Sequence, residues 1–280
     1  MKTTITYTGN LSNFIESQLK PLLLSVGWLD LGIQTVSGIT FKGLRNSIGQ
    51  GFFYDTSNPY TWYCYWPTVR IINNDFVPNQ SLLKWNIVGS KIPASTNNNS
   101  NPSYSNVAFD IFYNDKSWIV IDKRVPDNYS YSYHTLTNFT KASFFISIND
   151  NVFFTATNIV FANTLFWGKM NQHISVKNGV YYFNEDFSNN SIRESYQIPK
   201  TFHKTGYFVP CNFVSNNTNI NISFPYLFIY NDVYEIRDFV YVNCNFDTDF
   251  SLGNFDFYQL YNNTSYPLSN PYIGINRNVY

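Results

Sequence analysis

The chain has 280 residues, room for one large domain or two modest ones with a core that needs no covalent staples. Lys plus Arg and Asp plus Glu each number 18, so the formal net charge is zero and only 13% of residues are charged, which excludes an electrostatic nucleic-acid clamp. At 44% hydrophobic and 20% aromatic the chain is not of the disordered class, and no apolar run approaches the ~20 residues that span a bilayer.

The residues that dominate instead are 26 Phe, 23 Tyr, 6 Trp and 39 Asn. Aromatic side chains suit a pleated, half-buried surface, and Asn suits turns because its side chain bonds nearby backbone and tolerates left-handed dihedrals. The composition therefore predicts a mainly β chain: antiparallel, hairpin-rich sandwich or barrel-like sheets, with one N-terminal α-helix. A neutral chain of low charge density also has little self-repulsion to keep its copies apart, which favours a place in a fixed assembly.

In chain order, Met1-Lys2-Thr3-Thr4 leads into no signal-type apolar region, so a soluble, unprocessed chain is expected. Leu11 to Val26 is the one convincing helix: Ser12 or Asn13 can cap it, and Phe14, Ile15, Leu19, Leu22 and Leu23 recur near helical spacing. Pro21 inside that span predicts a kink or a fresh turn; Gly27 ends the helix and Trp28 begins extended chain. The densest aromatic patch follows, from Tyr60 to Pro67. Alternation puts Tyr60, Trp62, Cys64 and Trp66 on one face of a strand, with Tyr63 and Tyr65 on the other. An exposed face of this kind, drawn from Tyr60, Trp62, Tyr63, Tyr65 and Trp66, stacks sugar rings or anchors a partner protein. The plainer reading is a strand buried on both faces.

Ala94 to Ser105 is rich in Asn, Ser and Pro and reads as a surface loop. It divides a helix-plus-strand part (1–93) from a β-rich body (106–280), unless the two form one continuous domain. The body is a run of hairpins. Asn106–Tyr113 alternates Val107, Phe109, Ile111 and Tyr113 against Ala108, Asp110 and Phe112, and Trp118–Lys123 returns after Asn114-Asp115-Lys116-Ser117. Ser143–Ile148 pairs with Val152–Thr157 around Asn149-Asp150-Asn151. His173–Lys177 pairs with Val180–Phe183 around Asn178-Gly179, a dipeptide that favours a type I′ turn. Tyr226–Tyr230 and Val233–Arg237 form a fourth hairpin, and Asp238–Cys244 and Asp256–Tyr261 are further strands.

Chemistry-bearing residues are sparse. The four Glu are Glu16, Glu185, Glu194 and Glu235; none stands out as half of an acid/base couple, and Glu235 with Arg237 reads as a surface pair. The histidines, His134, His173 and His203, accompany no nucleophile elbow. Asp247 and Asp249, with Asn243 and Asn245 nearby, offer oxygen atoms of the kind calcium takes, but without the spaced loop of an EF-hand. Cys64, Cys211 and Cys244 lack metal-ligand spacing and read as packed thiols, with a Cys211–Cys244 pair open if their strands are neighbours. No catalytic residue, metal or cofactor is expected.

One pattern runs through the chain. A helix ending in Gly27-Trp28 precedes Lys42-Gly43; a hairpin Phe109-x-Ile111-x-x-Asn114-x-x-x-Trp118-Ile119-Val120-Ile121-x-Lys123 follows. The chain closes with Phe239-Val240-Tyr241-Val242, a Leu252-Gly253 turn, Tyr258-Gln259-Leu260-Tyr261-Asn262 and Pro271-Tyr272-Ile273-Gly274-Ile275. This order resembles a loose group of virion structural proteins of tailed bacteriophages, from which the chain departs in its Asn-rich loops and low Lys content. The resemblance implies a place in the virion, in the tail, baseplate or head–tail region. It also implies an architectural role whose partners are other virion proteins and copies of the chain itself, and it brings no catalytic residues. The alternative expectation is a carbohydrate-binding or host-receptor-recognition module acting on a glycan through Tyr60, Trp62 and Trp66. A polysaccharide depolymerase ranks third, since it requires two carboxylates across a cleft.

Overall fold

The computed structural model describes residues 1–36, 39–55, 64–66, 70–72, 75–77, 83–85, 103–124, 140–159, 170–177, 180–184, 203–205, 207–208, 224–229, 232–244, 246, 248–259 and 270–280. These are mainly strands in antiparallel sheets, with a single short helical segment near the start, as the composition predicts.

That segment runs as α1 (Leu11–Phe14), a π-helical turn (Ile15–Leu19) and α2 (Lys20–Ser25). Pro21 accounts for the widened turn. Proline has no N–H to give and its ring crowds the carbonyl four residues back. Opening the preceding turn, with the Lys20 N–H reaching Ile15 O, lets the helix pass the proline. The expected capping is corrected: Ser12 and Asn13 lie inside the first turn, which follows directly on a strand ending at Asn10. The far end is as expected. Gly27 takes φ +94°, its N–H bonds Leu24 O, and Trp28 N–H bonds Leu23 O at 3.1 Å. This is a Schellman closure, with Trp28 and Leu23 both in the core beneath it.

The strands follow in chain order. Before the 94–105 segment come β1 (Lys2–Asn10), β2 (Leu29–Val36), β3 (Ile39–Arg45), β4 (Gly51–Asp55), β5 (Cys64–Trp66), β6 (Arg70–Ile72), β7 (Asp75–Val77) and β8 (Leu83–Trp85). The middle of the chain supplies β9 (Ser103–Tyr113), β10 (Trp118–Asp122), β11 (Thr140–Asn149), β12 (Val152–Ile159), β13 (Met170–Lys177) and β14 (Val180–Asn184). The rest are β15 (His203–Thr205), β16 (Tyr207–Phe208), β17 (Tyr226–Ile229), β18 (Asp232–Glu235), β19 (Phe239–Cys244), β20 (Phe250–Leu252), β21 (Phe255–Gln259) and β22 (Asn270–Asn276). The four sequence-predicted hairpins are β9–β10, β11–β12, β13–β14 and β17–β18, each antiparallel.

An eight-stranded sheet, β1-β9-β10-β11-β12-β13-β14-β15, is central; β14 and β15 are its parallel pair. β1 lies against β9, Lys2 opposite Phe112 and Tyr7 opposite Val107. Pairing therefore crosses the 94–105 segment, and so does the core that joins Phe14, Leu44 and Phe52 to Phe109 and Trp118. Ser103 to Ser105, expected to close a loop, instead open β9; residues 94–102 lie outside the described ones.

Both faces of the central strands are covered, which is why Trp118–Asp122 is buried at every position. On one face Phe109, Ile111, Tyr113, Trp118, Val120 and Phe145 meet Trp28, Leu44, Phe52 and the helical segment. On the other, Phe112, Ile119, Ile121, Phe144 and Ile146 meet Phe239, Tyr258, Ile273 and Ile275 of a second sheet, β19-β22-β21-β20. The alternation read between Asn106 and Tyr113 thus sorts side chains between two cores rather than between core and water. The second sheet carries a third cluster on its far face, built from Val240, Val242, Cys244, Phe255, Phe257 and Tyr272.

Candidate functional site

Of the sequence-derived aromatic patch, Tyr60, Trp62 and Tyr63 lie outside the described residues. Tyr65 and Trp66 belong to β5, which pairs with β4 through Phe53↔Tyr65 and with β8 through Tyr65↔Lys84 and Trp66↔Leu83. Their strand is therefore internal to the sheet β2-β3-β4-β5-β8. The side chains of the patch lie outside the described residues.

The chemistry that is on view gathers around two carboxylates that sequence reasoning left unmarked. Asp110, on β9, is 1% exposed. It accepts the Thr4 hydroxyl at 2.6 Å and the Tyr258 hydroxyl at 2.5 Å, and it lies 3.2 Å from Lys2 Nζ and 3.8 Å from Lys123 Nζ. Asp256, on β21, takes the same Lys2 ammonium at 3.0 Å, the Ser251 hydroxyl at 2.7 Å and Arg277 Nε at 3.6 Å. Lys2 also stands over the rings of Phe112 and Tyr258. Burial pushes the Asp110 carboxyl up, but the Thr4 and Tyr258 hydroxyls and the two ammonium groups outweigh it and hold it below the usual carboxylate range. Burial and the neighbouring carboxylate push the Tyr258 phenol far above its ordinary value. Near neutral pH the one group stays ionised and the other stays protonated. The arrangement compensates charge and ties β1, β9 and β21 together; it is not set to exchange protons.

A second polar knot closes one end of the stack. Trp28 Nε1 donates to Asn114 O at 2.8 Å, Asn46 Nδ2 to Lys116 O at 3.0 Å, and Gln50 Nε2 to Asn149 O at 2.7 Å. Asn46 Oδ1 holds its own turn by accepting the N–H groups of Ile48 and Gln50. Asn114 does the same for Lys116 and Ser117, while its Nδ2 reaches Val279 O. Sequence reasoning placed Asn114 and Asn149 in turns; Asn114 lies in its turn, whereas Asn149 is the last residue of β11, paired with Val152. The link from one turn to the next depends on partners tens of residues away.

Other sequence expectations sort plainly. Glu235 accepts Arg237 Nε at 2.6 Å, the surface pair expected of them. Glu16 lies between Lys20 and Lys42 at 3.7 and 3.1 Å. His134, Glu185, Glu194, Cys211, Asn245 and Asp247 lie outside the described residues. Asp249 accepts the Gln259 backbone N–H. Cys244 is a buried free thiol that burial pushes up to about 11. Among the described residues no three His, Cys, Asp or Glu side chains converge as metal ligands, and no helix is long and apolar enough to cross a membrane.

One surface element presents apolar side chains outward. β2 is an outer strand of its sheet among the described residues, with Leu29 50% and Ile33 64% exposed. Its register breaks between Asp30 and Ile33, where Gly32 takes φ +68° and donates its N–H to Asp30 Oδ1. Lys20 fixes Asp30 at 2.5 Å. The first half of the edge is thus bulged and charged, and pairing in regular register resumes from Ile33 to Val36. No family model, curated protein or solved structure matches the chain.

Proposed function

We propose that the chain is an architectural subunit of a tailed-bacteriophage particle, in the tail, baseplate or head–tail region. It acts by assembly with copies of itself and with other virion proteins rather than by catalysis. The particle comes from the sequence resemblance. The structural observation that carries an assembly role is the β2 edge, an outer strand among the described residues that resumes regular register at Ile33 while holding that isoleucine 64% exposed. An outer strand with apolar side chains facing water is a template for a neighbouring chain. The buried polar groups support the same reading, because the ions and amides are spent on fixing sheet to sheet and turn to turn, as a subunit held under load requires.

Light scattering on the purified chain tests this: self-association that rises with concentration is expected, and Ile33→Lys should lower the associated mass while leaving the far-ultraviolet spectrum unchanged. A monomer at millimolar concentration overturns the reading. Mass spectrometry of purified particles tests the location. A glycan array on which Trp62→Ala and Trp66→Ala abolish signal would replace the reading with receptor recognition.

A further inference from the structure

Asp238, between β18 and β19, is 8% exposed and takes one side-chain hydrogen bond, from the Tyr280 hydroxyl at 2.7 Å. The residues leading to Tyr280 lie along the end of the two-sheet core. Asn276 N–H donates to Asp238 O, Arg277 N–H to Asn254 O and Val279 N–H to Asn276 O. Asn114 Nδ2 reaches over from the β9–β10 turn to Val279 O at 3.0 Å. The Tyr280 ring meets Phe112 edge-on at 6.0 Å. Segment 277–280 is thus a strap across the core between the sheets, pinned near its end by one phenol on one carboxyl.

Among the described residues, the charges around Asp238 do not balance it. The neighbouring Arg237 turns its guanidinium to Glu235 and is 74% exposed. Arg277, on the strap, is engaged with Asp256 and Gly253 O. From the central sheet the strap meets the neutral Phe112 and Asn114. Tyr280, the titratable group that does face Asp238, is held protonated by burial and by that carboxyl. Among the described residues, no basic side chain pairs with Asp238.

We propose that Asp238 and Tyr280 form a proton-operated latch, which holds segment 277–280 closed over the core when Asp238 is protonated and releases it more readily when Asp238 is ionised. An ionised carboxyl sealed from water with only neutral donors, the Tyr280 hydroxyl and its own backbone N–H, is stabilised by any motion that readmits water, and lifting the strap does that. Burial, against the opposing hydrogen bonds from Tyr280 and from the residue's own backbone, pushes the Asp238 carboxyl up to about 6. With the strap open, the carboxyl returns to the ordinary aspartate range near 3.8. The open fraction therefore climbs as pH rises from about 4 to about 6 and then levels off, a total change of roughly 100-fold. Lifting the strap uncovers Phe112 at the seam between the sheets, so the proton controls access to an apolar surface.

Hydrogen exchange on the full chain tests the latch, read at the amides of Arg277 and Val279 and corrected for the intrinsic pH dependence of exchange. Protection there should fall roughly 25-fold between pH 4.5 and 7.5 and stay well below that of Ile119 to Ile121 in β10 at every pH, since those core amides exchange only when the whole fold opens. Asp238→Asn should flatten the dependence, and Tyr280→Phe should lower protection at the two strap amides at pH 7.5. A carbon-13 titration of the Asp238 carboxyl gives a measurement free of any variant, with a midpoint near 6 expected. A midpoint in the ordinary aspartate range overturns the proposal. So does protection at these amides equal to that of β10, which would mean that the strap opens only with the whole fold, or a pH response that survives in Asp238→Asn.

Discussion

The hydroxyl of Tyr258 reaches from one sheet to the carboxylate of Asp110 on the other, 148 residues away in sequence and 2.5 Å away in space. Lys2 completes the bridge by touching both Asp110 and Asp256. Two sheets that otherwise meet through Phe, Ile and Tyr side chains slide at little cost; a directional bond between charged and polar groups selects one alignment.

The pair should therefore be strongly coupled. Asp110→Ala is expected to cost about 3–5 kcal/mol, because Tyr258 and Thr4 lose their acceptor inside the core. Tyr258→Phe should cost about 1–3 kcal/mol. A double-mutant cycle in urea should give a coupling of at least about 1 kcal/mol. Additive losses would show that the two groups act apart.

Gly274 marks the tightest crossing in the second sheet. A Cβ added there would stand 2.7 Å from Phe257 Cδ1 and 3.0 Å from Val240 Cγ2. Gly274→Ala should destabilise by about 1–3 kcal/mol through overpacking, read as a drop in thermal midpoint with no change in strand content.

At Gly27 the strain is conformational instead. Nothing crowds an added Cβ, but φ is +94°. Gly27→Ala should cost about 1–2 kcal/mol, and Gly27→Asn less, since Asn tolerates left-handed dihedrals better. Equal losses would mean the Schellman closure is not what fixes Trp28.

Stability should show a maximum at mildly acidic pH, from two opposite signs. Asp110 and Asp30 are held below the ordinary carboxylate range: burial raises each, and hydroxyl, backbone and lysine partners more than offset it. Their contribution is complete above about pH 5 and is lost as pH falls further, through their unfolded-state and then their folded-state values. Asp238 is shifted upward, to about 6, so its ionisation weakens the fold by about 3 kcal/mol above that pH, and this is recovered as pH falls from about 6 to 4. Urea midpoints from pH 3 to 8 should rise and then fall on acidification. Asp238→Asn should remove the rise, and Asp110→Asn should soften the fall.

Local signals in the sequence carried the hairpins of the body, β19 and β21, but not β1. Val107 to Tyr113, the Asn114 turn and Trp118 to Ile121 declare a hairpin because alternation and turn chemistry act over a few residues. Gly27 and Trp28 declare a helix end for the same reason. What the same residues face is a long-range matter. Asp110 looks like one polar position in an alternating strand; its burial follows from β1, more than a hundred residues earlier, and β21, almost 150 later, both coming to lie against it. Pro21 announced an irregularity but not its form, since a kink and a widened turn both spare the proline its clash. The division read at 94–105 came from composition, which is blind to the pairing of β1 with β9.

That pairing also dictates a schedule. Lys2 waits for Phe112. A ribosome adding roughly 5–20 residues per second needs on the order of ten seconds to supply the partner strand. Through that interval Phe14, Ile15, Leu19 and Leu23 have no wall to lean on, because most of the surface that shelters them has not yet been made. Synthesis of this chain should accordingly lean on holding chaperones early, and slowing translation ahead of β9 should cost yield more than slowing it after β11.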